Sequence, residues 1–238
     1  MSRFLLVHGA FSGKWYWERF APELEARGHA VEAIDLPGHG EDRTPPEEVT
    51  LDAYGERVAQ ALRAGEPAVL VGHSMGGMAI TQGAAKAPES VDRLVYVTAF
   101  LPRDGDSLQA LTRLPEGADD GVQANLVVEP PVASLRPAAL AEVLYGRCTA
   151  EQVEWAVARN QPQPLAPFAD PVRIGGALDD VDRYYVRCTE DRAIPIALQR
   201  RMSTDTPCRE VVEIETDHSP FLSATSELAD ALDRFARA

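Results

Sequence analysis

Short runs of apolar residues alternate with longer amphipathic stretches at both ends of the chain. Most of these runs are continuously apolar, which is typical of strands that a parallel sheet buries on both faces. The runs that predict strands are Phe4–Val7, Val31–Leu36, Ala68–Val71, Leu94–Val97, Tyr184–Cys188 and Val211–Ile214. The stretches that predict helices between them are Trp15–Arg27, Leu51–Arg63, Met78–Ala87, Ile196–Met202 and Leu222–Ala236. Repeated strand–helix units predict an α/β fold with a doubly wound, mostly parallel six-stranded sheet.

The alternation stops in the segment 102–177, which is rich in Pro, Ala and Leu. Helical patterns occur there at Pro137–Tyr145 and Ala150–Arg159. We therefore expect a helical cap of residues 102–177, inserted after the fourth strand into a core of residues 1–101 and 178–238. Open α/β sheets bind ligands at the carboxyl ends of their strands, so the cap is predicted to lie over that edge as a lid.

A serine within a glycine-rich sequence follows the third predicted strand. The residues Gly72-His73-Ser74-Met75-Gly76 come directly after Ala68–Val71 and before a predicted helix. A tight turn from strand to helix exposes a serine hydroxyl, and it needs small neighbours because the backbone is crowded there. The helix N-terminus favours the negative charge that develops during acyl transfer. The pattern predicts that Ser74 is a nucleophile; the alternative is a glycine-rich turn that only connects two elements.

The loop after the first predicted strand is the candidate for the second half of an oxyanion hole. Such a hole requires two backbone N–H groups that converge on one point. Met75, directly after the proposed nucleophile, is predicted to supply one of them, and Ala10 the other. His8 stands beside this loop and is predicted to hold it in place, with a role as catalytic base as the alternative. His39, in a glycine-rich turn, is also interpreted as structural.

The base and the acid are expected after the nucleophile, because hydrolases with this turn carry their triad in the order serine, acid, histidine. His218 is the single histidine that follows Ser74, and it comes just after the last predicted strand. The acid should follow the strand Tyr184–Cys188, where Glu190 and Asp191 stand side by side. Asp191 is favoured over Glu190. Its predicted role is to orient the imidazole and to stabilise the imidazolium.

Apolar side chains of the cap and of the first loop are candidates for a substrate pocket. They either line that pocket or only pack the insert, and they are Phe11, Leu126, Leu144, Trp155 and Phe168. The sequence contains no metal-ligand cluster, phosphate loop or dinucleotide fingerprint. No cofactor or metal is therefore expected.

The composition of the chain excludes some classes of binding partner. The 238 residues carry a formal net charge of −14, which argues against nucleic acid and against an anionic membrane surface. No stretch approaches the roughly 20 apolar residues that a membrane span needs. Three cysteines, Cys148, Cys188 and Cys208, are an odd number without metal-ligand spacing, and a reducing cytoplasmic compartment fits them best. The oligomeric state stays open, with a homodimer among the alternatives.

Several motifs together resemble the plant methylesterase and hydroxynitrile lyase branch of the α/β-hydrolases, which also contains bacterial pyrethroid hydrolases. The residues that carry the resemblance are Val7–Phe11 with Trp15 and Trp17, Gly72–Gly77, Gln163–Phe168, Cys188–Asp191 with Ile194 and Pro195, and Asp217 with His218. The motifs keep their order along nearly the whole chain. The resemblance implies an α/β-hydrolase fold with Ser74, Asp191 and His218 as the triad. It also implies an oxyanion hole formed by Ala10 and Met75.

Two positions separate the two chemistries of this branch. Lyases that have a lysine after the catalytic histidine use it to handle cyanide, whereas this chain has Ser219 there. The same lyases have threonine at the position of Gly9, and another lyase lineage has asparagine. Gly9 and Ser219 therefore resemble the esterase pattern. The implied reaction is hydrolysis of a carboxylic ester, of small to medium size and fairly apolar, through an acyl-enzyme.

Two alternatives remain beside the esterase. The first is another reaction of the same triad: lactone hydrolysis, C–C bond cleavage or acyl cyclisation in a biosynthetic pathway. The second is a non-catalytic protein that binds small molecules on a hydrolase scaffold. Loss of a triad residue would favour the binder, and all three residues are present.

Overall fold

Six parallel strands form the central sheet of the computed structural model, which describes residues 1–238. With strands numbered along the whole chain, they are β1 (Arg3–Val7), β2 (Ala30–Ile34), β3 (Ala68–Ser74), β4 (Val91–Ala99), β8 (Arg183–Cys188) and β9 (Glu210–Ile214). Their order across the sheet is β2-β1-β3-β4-β8-β9. The strands β1 and β3 are buried almost throughout, while the edge strands β2 and β9 are partly exposed. The predicted fold class is confirmed.

The third strand is longer than its apolar run suggests. The third continues from Val71 to Ser74, where His73 pairs with Val97 and Ser74 with Ala99 of β4. Because neighbouring strands provide these backbone partners, glycine and histidine extend a strand that side-chain hydropathy alone ends early. The carboxyl end of β3 therefore lies at Ser74 itself.

Helices flank the sheet: α1 (Ala21–Ala26), α2 (Leu51–Arg63), α3 (Gly76–Lys86), α9 (Ile196–Asp205), α10 (Pro220–Ser223) and α11 (Thr225–Arg237). Two stretches predicted as single helices are broken. Trp15–Arg27 consists of a 3₁₀ turn at Lys14–Trp17 followed by α1, because Pro22 lacks an N–H and fits only the first turn of a helix. Leu222–Ala236 is interrupted at Ala224, whose φ of −142° is not helical.

The chain between β4 and β8 adds no strand to the central sheet. It contains the helices α4 (Leu108–Thr112), α5 (Gly121–Asn125), α6 (Pro137–Leu144), α7 (Ala150–Val157) and α8 (Ala166–Ala169). It also contains a small antiparallel sheet of β5 (Leu126–Glu129), β6 (Val132–Leu135) and β7 (Gln163–Pro164), which the prediction of a helical insert missed. The turn Pro130-Pro131 separates β5 and β6, and each strand is only four residues long. So short a run gives no clear periodicity in the sequence.

The topology gathers the loops that carry the candidate residues. Since all six strands are parallel, their carboxyl ends lie at one edge of the sheet. There β3 ends at Ser74, while β8 and β9 end shortly before Glu190-Asp191 and Asp217-His218, respectively. None of the helices is both long and apolar enough to cross a membrane.

Candidate active site

Ser74 occupies a strained turn between β3 and α3. Its φ of +55° lies in the left-handed region, which costs energy for a residue with a side chain. The turn is possible only with small neighbours: a Cβ on Gly76 would lie 2.6 Å from the carbonyl oxygen of His8, and one on Gly9 would lie 2.7 Å from the Cβ of Ser74. The turn lifts Ser74 out of the sheet, and its side chain lines a cavity.

His218 and Asp191 form a buried pair beside this cavity. The Nδ1 atom of His218 lies 2.7 Å from Oδ2 of Asp191, and both side chains are at most 2% exposed. Because Asp191 accepts from Nδ1–H, Nε2 is left as the basic nitrogen of the ring. His218 and Ser74 line the same cavity, although no direct hydrogen bond joins them in this structure. Such bonds often tighten only when substrate binds.

Several donors fix the carboxylate of Asp191. The backbone amides of Ala193 and Ile194 donate to Oδ1 at 2.6 and 2.9 Å, and the Thr98 hydroxyl donates to Oδ2, beside the imidazole. The alternative acid, Glu190, is exposed and forms an ion pair with Arg147 instead. The structure therefore joins Asp191, and not Glu190, to the histidine.

The amides of Ala10 and Met75 lie at the cavity wall. Neither N–H donates to another group of the protein, so both remain free for a ligand oxygen. Met75 precedes the first residue of α3, and Ala10 precedes Phe11, whose φ of +63° is also left-handed. The cap supports this second turn, because the Gln161 amide and the Asn160 side chain both donate to the carbonyl oxygen of Phe11, at 2.9 and 3.0 Å.

Two further buried histidines, His8 and His39, hold loops near the site. His8 donates from Nδ1 to the carbonyl oxygen of Gly9 at 2.8 Å and accepts the Leu36 amide at Nε2 at 3.1 Å. His39 bonds the carbonyl oxygen of Ser12 and the Tyr54 hydroxyl, each at 2.9 Å. Burial lowers the pKa of His8 to about 4 and that of His39 to about 3. Both rings are therefore neutral at physiological pH and have the structural role predicted for them.

The cavity is enclosed mainly by apolar side chains. Its empty space is about 460 Å³, counting the opening to solvent, and 11 of its 17 lining residues are hydrophobic. The chain between β4 and β8 contributes Leu108, Thr112, Asp120, Val122, Gln123, Leu144 and Phe168 to the wall. Apolar walls with a few polar groups are typical of sites for small organic ligands.

Three of the five predicted pocket residues line this cavity and two do not. Phe11, Leu144 and Phe168 are on its wall. The prediction for Trp155 is wrong: its ring packs against Trp15, with 5.3 Å between the ring centroids, and it does not line the cavity. The prediction for Leu126 is also wrong, because this residue begins β5 in the small sheet and does not line the cavity.

Sequence reasoning missed three polar residues at the site. Thr98 donates to the triad carboxylate, as described above. His73 donates from Nε2 to the carbonyl oxygen of His218 at 2.7 Å, and burial lowers its pKa well below the usual range. Asp120 lines the cavity with only 6% of its surface exposed. An aspartate before a short helix is readable as an N-cap, but nothing in the sequence indicates that it faces the cavity.

The side chains at this site show no arrangement for a metal ion. No group of three or more His, Cys, Asp or Glu residues in the structure is placed so that it could hold one.

The site combines a serine on a strained turn between strand and helix, a buried histidine–aspartate pair and two free amides, all at the edge of a parallel sheet. Together these features define a site of the α/β-hydrolase type. The model of the Alpha/beta hydrolase family matches residues 4–231. The chain is 32% identical to Methylesterase 7 of Arabidopsis thaliana, over 97% of this chain and 94% of that protein. It is 33% identical to the pyrethroid hydrolase of Sphingobium wenxiniae, over 98% of this chain and 87% of that protein.

Solved structures agree with these relatives. The crystal structure of a pyrethroid hydrolase from Sphingobium faniae JZ-2 superposes with a TM-score of 0.90 at 31% identity, covering 100% of this chain and 98% of that one. A crystal structure of polyneuridine aldehyde esterase has a TM-score of 0.87 at 27% identity, with 99% of both chains covered. The chain belongs to the α/β-hydrolase family.

Proposed function

We propose that this protein is a serine hydrolase of carboxylic esters, with Ser74 as nucleophile, His218 as base and Asp191 as the supporting acid. One observation carries the proposal: a serine on a strained turn shares a cavity with a histidine that is bonded to a buried aspartate at 2.7 Å. The relatives support the reaction class, because their names describe methylesterases and a pyrethroid hydrolase.

The proposed mechanism uses only groups of this chain. The Ser74 oxygen attacks the ester carbonyl while Nε2 of His218 takes its proton, and Asp191 stabilises the imidazolium that forms. The amides of Ala10 and Met75 bind the oxyanion. His218 then gives the proton to the leaving alcohol, and water attacks the acyl-enzyme by the same route.

The cap has a proposed role in substrate selection. Residues 102–177 supply the apolar side chains Leu108, Leu144 and Phe168 to the cavity wall. An ester with apolar groups of small to medium size suits such a wall, since binding then removes apolar surface from water. We propose that this segment acts as the lid of the site.

The test compares hydrolysis of short-chain p-nitrophenyl esters by the wild type and by Ser74→Ala, near pH 7.5. Loss of a triad nucleophile costs on the order of 10⁶ in kcat, so the variant should fall to background. Ser226→Ala is the matched control, because Ser226 is exposed on α11 and should keep full activity. A serine-directed phosphonate should label Ser74 in the wild type. Turnover that survives in Ser74→Ala would refute the proposal.

A second function is favoured by a different similarity. The chain is 31% identical to Norfluorocurarine synthase 2 of Strychnos, over 96% of this chain and 93% of that protein. This similarity supports another triad-based reaction in a biosynthetic pathway, such as C–C bond cleavage or cyclisation of an acyl intermediate. Product analysis by mass spectrometry separates the two functions, since simple hydrolysis releases only an acid and an alcohol.

A further inference from the structure

A second carboxylate, that of Asp120, lies in the cavity and takes no part in the triad. The side chain is in the cap, 6% of the residue is exposed, and it lines the same cavity as Ser74 and His218. Its only protein donors are backbone amides: Gln123 donates to Oδ1 at 2.9 Å, and the Val122 amide also faces the carboxylate. No side chain donates to Asp120, and no basic group forms an ion pair with it.

The backbone around Asp120 is firmly held. The Asp120 amide donates to the carbonyl oxygen of Gly117 at 3.1 Å, and the Gly121 amide donates to that of Arg192 at 2.8 Å. A Cβ on Gly121 would lie 2.6 Å from the same Arg192 oxygen, so the loop approaches the core closely. The carboxylate therefore has a fixed position relative to the loop that carries the triad acid.

An ionised carboxylate in an apolar cavity requires hydrogen-bond donors, because loss of water is costly for it. Two hydroxyl groups of the wall are engaged elsewhere, and the Gln123 side chain, which also lines the cavity, belongs to an exposed residue. The Tyr16 hydroxyl is 2.8 Å from that of Tyr145, and the Thr112 hydroxyl donates to the carbonyl oxygen of Gln109 at 3.2 Å. Asp120 is thus a buried acceptor that the wall offers to a ligand in addition to the triad groups, and it lies close enough to Asp191 and His218 to interact with their charges.

The apolar walls and the charge of Asp120 indicate which kind of hydrogen-bond donor on a ligand would suit this carboxylate. A ligand carboxylate would be repelled by Asp120. An ammonium group carries three N–H donors and would leave two of them unpaired against apolar walls. A hydroxyl carries one donor, and one carboxylate satisfies it. A neutral hydroxyl also avoids placing a positive charge near the imidazolium that forms during the reaction.

We propose that Asp120 determines substrate specificity by accepting a hydrogen bond from a hydroxyl group of the ester substrate. The inference rests on the proposed ester hydrolysis and names the substrate class of that same site: neutral esters that carry a hydroxyl at some distance from the ester group. Burial raises the pKa of Asp120 to about 6, so the carboxylate is ionised at neutral pH and is a strong acceptor.

The test uses ethyl hexanoate, its derivatives with a hydroxyl on the third or the sixth carbon, and the corresponding methoxy compounds. The readout is the ratio of kcat/KM between the hydroxy ester and the unsubstituted ester, measured by pH-stat. The wild type should prefer one of the hydroxy esters by about 10-fold or more, since a hydrogen bond to a charged acceptor is worth that factor. It should not prefer the methoxy esters, which have no donor.

Two variants keep the helix cap and change the group that faces the cavity. Asp120→Ser retains an N-cap oxygen but is too short to reach the ligand, so the ratio should fall to about 1. Asp120→Asn offers an amide donor as well as an acceptor, and it should improve the methoxy esters relative to the wild type. Asp119→Asn is the matched control: it removes the same charge from an exposed neighbour and should keep the wild-type ratio.

A second readout does not depend on turnover. Dissociation constants of the same esters are measured with the Ser74→Ala protein, with and without Asp120→Ser. If no ester is hydrolysed but the hydroxy esters bind better through Asp120, the proposed reaction fails while the hydroxyl-binding site stands. If esters are hydrolysed without a preference for hydroxyl, or the preference survives Asp120→Ser, the inference about Asp120 is overturned.

Discussion

Replacing Asp120 by asparagine should make the stability of this protein less dependent on pH. Burial raises the pKa of Asp120 from 3.8 to about 6. The folded protein therefore binds this proton more tightly than the unfolded chain does, and ionisation at higher pH costs folding free energy. The penalty is absent below about pH 4, grows as the pH rises between the two pKa values, and is complete above about pH 6. A shift of this size corresponds to roughly 3 kcal/mol at most.

Asparagine is the informative replacement because it caps a helix as well as aspartate does, and the bond to the Gln123 amide survives. The assay is urea unfolding of the wild type and of Asp120→Asn at several values between about pH 4 and pH 8. The free energy of unfolding of the variant, minus that of the wild type, should increase by up to about 3 kcal/mol over this range.

The control is again Asp119→Asn, whose carboxyl is exposed and whose loss should give a difference that changes little with pH. A difference for Asp120→Asn that stays flat between pH 4 and pH 8 would refute the reasoning. Such a result would mean that water or backbone amides stabilise the ionised carboxylate in the folded protein to the same extent as water does in the unfolded chain.

Three further changes test the site. Asp191→Asn should lower kcat by about 10⁴ with little change in fold, because the amide favours the wrong imidazole tautomer; wild-type turnover would contradict the assigned acid. Gly9→Ala should lower kcat/KM by roughly 100-fold, since its Cβ would lie 2.7 Å from that of Ser74 and move the nucleophile; unchanged kinetics would show that the turn adapts. Phe168→Ala should raise KM for apolar esters while Trp155→Ala leaves it unchanged, and equal effects in steady-state assays would contradict the described cavity wall.

The central sheet was predictable because each strand carries its own signal. Runs such as Phe4–Val7 and Ala68–Val71 are continuously apolar, since both faces of the sheet are covered. Strand ends were less predictable: β3 runs on through His73, whose backbone pairs with β4. The break before α1 was predictable in principle from Pro22, which lies in its first turn, whereas no proline marks the break at Ala224.

The candidate site was predictable only as far as it follows local motifs. Ser74 and His218 stand in recognisable positions, one inside a turn motif and the other after the last strand. Thr98 and Asp120 carry no such motif, and they reach the site because β4 and the cap pack next to it. Trp155 is a large aromatic residue that would suit a pocket, but its ring packs against Trp15 and not on the cavity wall. The positions of all three residues depend on packing between segments that are distant in the sequence, and local sequence patterns do not predict such packing.

Two hydrogen bonds between the segment 102–177 and the core lie next to the proposed triad. Arg192, which follows the acid, accepts the Gly121 amide of the cap through its carbonyl oxygen at 2.8 Å. Asp217, which precedes the base, is buried and accepts the Arg147 amide of the cap at 2.7 Å. Exposed ion pairs across the same boundary contribute little, about 0–1 kcal/mol each. These two hydrogen bonds, one to a backbone carbonyl and one to a buried carboxylate, therefore hold the segment more firmly here. Since each bond ends on a residue adjacent to a triad member, any displacement of the cap at this boundary also displaces the acid or the base. We therefore propose that the segment 102–177 helps to position the proposed catalytic groups as well as to enclose the cavity.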